Sequence, residues 1–163
     1  MLHARFRWLW VGGAAALGLV MLSIPQQGKV LDLRFFYAPS EALDYLRSLS
    51  GPALERYRVH EWLDLGFMAF YSLALASFWR AVAHSGCLKG LPWAAGVLDL
   101  VETGLILAFL HQPELLVPAP PGPALAMATV MAAATPLKYL CFYSTLGWIL
   151  LSAAARALRE RQS

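Results

Sequence analysis

Asparagine is absent from this chain of 163 residues, isoleucine occurs three times, and only 14% of the residues are charged. Soluble domains carry about 25% charged residues. A chain this poor in charge and 59% hydrophobic is therefore neither disordered nor composed like a soluble globule. Its two cysteines, Cys87 and Cys141, form no CxxC or CxxCH pattern and no Cys/His cluster. That excludes zinc-finger, haem-attachment and iron–sulfur motifs, and one cysteine in a polar connection with the other in an apolar helix argues against a disulfide. Lysine is scarce as well: ten of the thirteen basic residues are arginine. The arginines flank apolar segments and do not line one face, so nucleic acid is not an expected partner. The bias to Ala, Leu, Gly, Pro and Arg points to a GC-rich genome.

What the chain has instead is long apolar runs, with a mean hydropathy of +0.55. Four of them, at about 8–24, 61–83, 92–111 and 124–152, have lengths suited to crossing a bilayer. The fourth is long enough to tilt, or to kink at Pro136. The first follows Arg5 and Arg7 but leads to no A-x-A-like cleavage site, so it reads as a retained helix and not as a signal peptide. The expected fold is an all-α integral membrane protein, one domain over 1–163. It is a four-transmembrane-helix bundle with a short amphipathic outer helix between the first two spans. Arg5, Arg7, Arg80, Lys89, Arg156, Arg159 and Arg161 gather at one side of these spans, and the Pro-rich 112–123 loop (Pro113, Pro118, Pro120, Pro121, Pro123) has no basic residue. The excess of Lys and Arg on cytoplasmic loops then places both termini in the cytoplasm of a bacterial plasma membrane, with segment 25–60 outside.

Within that outer segment, Ala42, Leu43, Tyr45, Leu46 and Leu49 recur at helical spacing among Asp44, Arg47 and Ser48. This predicts a short helix with Ser40 as its N-cap, stopped by Gly51-Pro52, lying on the membrane surface or capping the bundle. Residues Lys29 to Tyr37 show no clear period. In the first span, Gly12, Gly13, Ala14, Ala15, Ala16 and Gly18 present almost no side chain, the composition of a closely packed helix face. Trp8, Trp10, Trp62, Trp79, Trp93 and Trp148 fall near span ends, as an interfacial belt would.

The informative residues are ionisable ones inside the apolar runs. Asp99 and Glu102 lie three apart in the third run and Lys138 lies in the fourth, all near mid-span; Asp64 sits in the second run with Tyr71 seven residues deeper on the same stripe. A charge at a helix centre costs about 2.5–3.5 kcal/mol to insert, so these groups are expected to face one another. The plainest arrangement is an ion pair of Lys138 with Asp99 or Glu102 that fastens the third helix to the fourth. Three carboxyl groups against one intramembrane lysine leave surplus negative charge. A protonated carboxyl, an infolding Arg34, Arg56 or Arg58, or a bound cation or amine would balance it. Lysine, unlike arginine, can lose its proton when desolvated. Tyr139 and Tyr143 share a face beside Lys138, as pocket wall or as core.

His60-Glu61-Trp62-Leu63-Asp64 approximates an H-E-x-x-H helix with Asp in the last place, and His111 and Glu114 lie toward the same side. The second His is missing, so no metal is expected; nor do the residues indicate a cofactor. The order Leu31-Asp32-x-Arg34, Tyr37, Gly51, Arg56-Tyr57, Asp64, Tyr71, Asp99-x-x-Glu102 and Thr135-x-x-Lys138 resembles a group of small bacterial four-helix membrane proteins with D-x-x-E-N in the third helix. Here Thr103 stands in place of the Asn. The resemblance implies the fold and no activity.

These observations admit three functions. The first is binding or processing of a small amphipathic molecule, lipid-like or cationic, with Asp99, Glu102 and Lys138 as acid/base or ion-pair groups and Asp64, Tyr71, Tyr139, Arg56 and His60 as binding groups. The second is a structural or assembly subunit whose partner supplies the missing charge. The third is a proton- or cation-coupled transporter, most simply a homodimer. The sequence does not decide whether the site is catalytic.

Overall fold

The computed structural model describes residues 2–28, 30–82, 87–117 and 120–161. Lys29, Ala83 and Pro118 lie outside the described residues, as do the side chains of Arg5, Asp32 and Cys87. The described chain is all-helical, with no strand. Five α-helices follow in order: α1 (Leu2–Ser23), α2 (Pro39–Ser48), α3 (Gly51–Val82), α4 (Leu91–His111) and α5 (Gly122–Glu160). Short 3₁₀ turns precede α2 and flank α4. Helices α1, α3, α4 and α5 are each long and apolar enough to cross a membrane.

Two helices are longer than hydropathy suggests. Helix α3 begins at Gly51, ten residues before the expected span start at 61. Its first turns carry polar residues that an apolar-run reading skips, yet these residues support a helix. Gly51 takes a positive φ of 49°, Pro52 suits a first turn, and Arg58 bonds Glu55 at 2.7 Å across one turn. Gly51-Pro52 therefore starts α3; α2 has already ended at Ser48. Helix α5 runs unbroken through Pro136 to Glu160, past the expected end at 152, and its last turns hold an Arg156–Glu160 pair at 3.0 Å. At 39 residues it is about 58 Å long.

Helix α2 caps the bundle. Its apolar face, Ala42, Leu43 and Leu46, is buried together with Val30, Leu31, Tyr57, Ile106, Phe109, Ala128 and Met131. Its N-cap is Ala38, not Ser40: the helix begins at Pro39, Ser40 is exposed in the first turn, and Glu41 Oε2 accepts the Ala38 N–H at 2.8 Å. Arg47 fastens the cap to the α4–α5 loop through the carbonyls of Leu116 and Val117. At the opposite end a second cluster joins Leu75, Trp79, Ala95 and Ile149. Trp79 is buried and stacks on Trp148 with ring centroids 6.2 Å apart, so it belongs to this core and not to an exposed belt.

Helix α4 is central, packed against both α3 and α5, whereas α1 packs along α3 at the edge. The small face of α1 explains that seam. The ring of Phe70 occupies the place a Cβ on Gly13 would take, and Leu17 lies 3.1 Å from the Cβ position of Gly66. Gly12 faces open space. Gly13→Ala is therefore expected to lower stability by about 1–3 kcal/mol through overpacking. Gly12→Ala should be neutral or stabilising by up to about 1 kcal/mol through helix propensity. Thermal unfolding of both variants in one detergent distinguishes the two sites.

Candidate functional site

The ionisable residues of the apolar runs converge around α4. Helices α4 and α5 are antiparallel neighbours. The pair Asp99/Glu102 on α4 therefore meets the pair Thr135/Lys138 on α5 in reversed order. Lys138 Nζ lies 2.6 Å from Asp99 Oδ1 and 2.6 Å from Glu102 Oε2, so one ammonium bridges both carboxylates. Thr135 Oγ1 is 2.5 Å from Glu102 Oε1, which also accepts the Tyr37 hydroxyl at 2.8 Å. On its other side α4 meets α3, again antiparallel. Thr103 Oγ1 donates to Asp64 Oδ2 at 2.9 Å, and Tyr71 OH donates to Asp99 Oδ2 at 2.7 Å. Asp64 and Tyr71 are seven residues apart on α3, while Thr103 and Asp99 are four apart on α4. The difference is about 4.5 Å of helix rise. The long tyrosine side chain, leaning toward the N-terminus of α3, spans it.

All of these groups are buried; Glu102, Thr103 and Thr135 are fully enclosed. Short contacts to ionised groups are the stronger class of hydrogen bond, and a buried charge without them costs several kcal/mol. The network joins α3, α4, α5 and the 30–37 segment through one lysine.

A cavity of about 330 Å³ opens beside this network. Asp64, Tyr71, Asp99 and Lys138 form its polar floor, with His60 toward the capped end. Gly18, Met21 and Leu22 of α1, Leu33, Phe67 of α3, and Tyr139 and Phe142 of α5 form apolar walls. Leu22 and Leu33 are 75% and 55% exposed, so the mouth lies on the side of the bundle between α1 and α5. Glu102, Tyr37 and Thr135 do not line the cavity. They hold Lys138 from behind and act as positioning residues.

The sequence-derived candidates divide accordingly. Asp64, Tyr71, Asp99, Lys138, Tyr139 and His60 meet at the cavity, where Tyr139 stacks on Phe35 with centroids 5.3 Å apart. Arg56 does not reach it; its Nε donates to the Pro25 carbonyl at 2.9 Å. Arg58 binds Glu55 and the Leu110 carbonyl, and Arg34 lies over the Tyr45 ring, so these arginines brace the capped end. Tyr143 is exposed. Among the described residues no three His, Cys, Asp or Glu side chains gather as a metal set; His111 Nδ1 is 2.7 Å from the Leu107 carbonyl oxygen, and Glu114 is exposed. Residues the sequence did not single out as part of the site are Tyr37, Thr103 and Thr135, each a neutral hydroxyl on a carboxylate. Comparison with protein-family models, curated proteins and solved structures finds no match.

Removing Lys138 leaves two facing carboxylates without their shared cation. Lys138→Met is expected to cost about 3–5 kcal/mol, read as a fall in thermal midpoint, and adding Glu102→Gln should recover part of that loss. Tyr37→Phe removes the bond to the Glu102 carboxylate and the contact with Thr135 Oγ1, and should cost about 1.5–3 kcal/mol. It should also speed amide hydrogen exchange across the 30–37 segment, which that bond ties to the bundle.

Proposed function

We propose that the protein is a multi-pass plasma-membrane protein that binds a small amphipathic molecule, with the polar head on the Asp64–Asp99–Lys138 floor and the apolar tail along the mouth between α1 and α5. The single observation that carries this reading is the cavity itself. Its volume of about 330 Å³ lies within the roughly 300–1,000 Å³ range of small-molecule sites. Its lining combines an apolar wall with a few convergent polar groups. Its mouth lies on a flank of apolar side chains, where a bilayer would supply a lipid-like ligand laterally. The distribution of Lys and Arg favours cytoplasmic termini, which puts the α2 cap outside.

Two features argue against the other functions. The buried charges turn inward, and the exposed flank carries Leu19, Leu22, Val97, Leu100, Leu140 and Leu150. A partner subunit would therefore meet an apolar surface and not the surplus charge. A transport route would have to continue from the floor to the opposite end, where Leu75, Trp79, Ala95 and Ile149 fill the interior.

A retained ligand is the test. Mass spectrometry of gently purified protein should find one amphiphile enriched over the bulk lipid. Gly18→Leu, which adds a side chain at the cavity wall, should reduce it about tenfold without loss of fold. Equal retention by wild type and Gly18→Leu would reject the cavity as the binding site.

A further inference from the structure

The cavity also discriminates between head-group chemistries. Its floor offers two carboxylates, Asp64 and Asp99, and one ammonium, Lys138. That ammonium is already committed at 2.6 Å to Asp99 and at 2.6 Å to Glu102. An anionic head entering here would meet two like charges and a lysine that must abandon a carboxylate to greet it. A cationic head meets the reverse: the carboxylates of Asp64 and Asp99, which take hydroxyls from Thr103 and Tyr71 with Lys138 also on Asp99, and a set of aromatic side chains. Phe67, Tyr71, Tyr139 and Phe142 all line the cavity. Their packing is mutual, with Tyr71 5.4 Å from Phe67 and 5.5 Å from Phe142 between centroids. Aromatic faces attract cations, most strongly where water is excluded. The Lys138 ammonium itself lies 5.6 Å from the Tyr139 ring centroid, which puts that ring within cation–π reach of the floor.

We infer that the bound amphiphile is a lipophilic amine, its ammonium held by Asp64 and Asp99 and enclosed by the rings of Phe67, Tyr71, Tyr139 and Phe142. This rests on the reading of the cavity as an amphiphile site. His60 lies toward the capped end of the same cavity and closes it from that side with a stacked partner, Tyr57, at 6.3 Å between centroids. The amine thus enters tail-outward through the flank, head first toward the floor.

Four probes with one tail test this. Full-length protein in phosphatidylcholine nanodiscs is photolabelled with dodecyl chains that carry a diazirine and end in ammonium, trimethylammonium, hydroxyl or carboxylate. Labelled peptides are mapped, with the unlabelled chain as competitor. The ammonium probe is expected to label the cavity-lining residues saturably, about tenfold more strongly than the hydroxyl or carboxylate probe, and Asp64→Asn should remove that preference. Comparable labelling by the trimethylammonium probe also supports a cationic head. Equal or stronger labelling of the same residues by the hydroxyl or carboxylate probe overturns the amine assignment while leaving the amphiphile site intact. Should no probe label those residues saturably, the site itself is wrong. The comparison among heads is made on the wild-type protein, so it stands even where the Asp64 variant folds poorly.

Discussion

A single ammonium bridging two carboxylates sets the geometry of this bundle. Lys138 takes Asp99 and Glu102 at 2.6 Å each, and that contact is satisfied in only one register of α4 against α5. A slip of one turn would leave Lys138 with at most one of the two carboxylates and strand the other, in an interior where an unpaired charge costs several kcal/mol. Apolar packing between membrane helices is weakly selective, because lipid tails offer the same contacts. Ionic register therefore supplies the specificity that hydrophobic contact does not. The same logic extends to α3, where the bonds from Tyr71 and Thr103 to carboxylates fix its height against α4.

The network divides into two halves with different uses. The half away from the cavity, Glu102 with Thr135 and Tyr37, is buried, with both hydroxyls on Glu102 Oε1 and Lys138 on Oε2. It spends its polarity on joining elements, and Tyr37 brings the segment before α2 down onto the helices. The half beside the cavity, Asp99 with Tyr71 and the neighbouring Asp64, keeps oxygens on a surface that another molecule can reach. Lys138 touches both halves. Its orientation is set from the enclosed side and felt on the accessible one.

How much of this was legible in the sequence follows from what makes a residue conspicuous. Asp99, Glu102 and Lys138 stand out because charge inside an apolar run has few explanations, and their mutual pairing is the simplest of them. Tyr37 figures in the sequence only among the residues that carry the resemblance, which gives it no partner. It lies 65 residues from Glu102 in sequence, in a stretch without period, and nothing in the sequence sets it apart from the chain's other hydroxyls as that carboxylate's partner. Thr135 and Thr103 are visible in the sequence as motif positions but their partners are hidden for a related reason: threonine is common in membrane helices, and only the antiparallel register reveals which carboxylate each one meets. The start of α3 was masked because hydropathy detects where a helix becomes apolar, not where it begins. Arg56 looked like a counter-charge because it is a cation near the site in sequence. It sits more than one helical turn before His60, close enough to the capped end for a backbone carbonyl to take it first.

The cavity is a consequence of the edge position of α1. That helix packs along α3 through Gly13 and Gly66, and so leaves a gap between itself and α5. Had its small face been turned toward α5, the walls would have met and the floor would have been sealed. The small residues thus do two things at once. They let α1 lie close on α3, and they keep bulk away from the mouth at Gly18. The polar floor therefore opens on an apolar flank, the arrangement on which the proposed binding site rests.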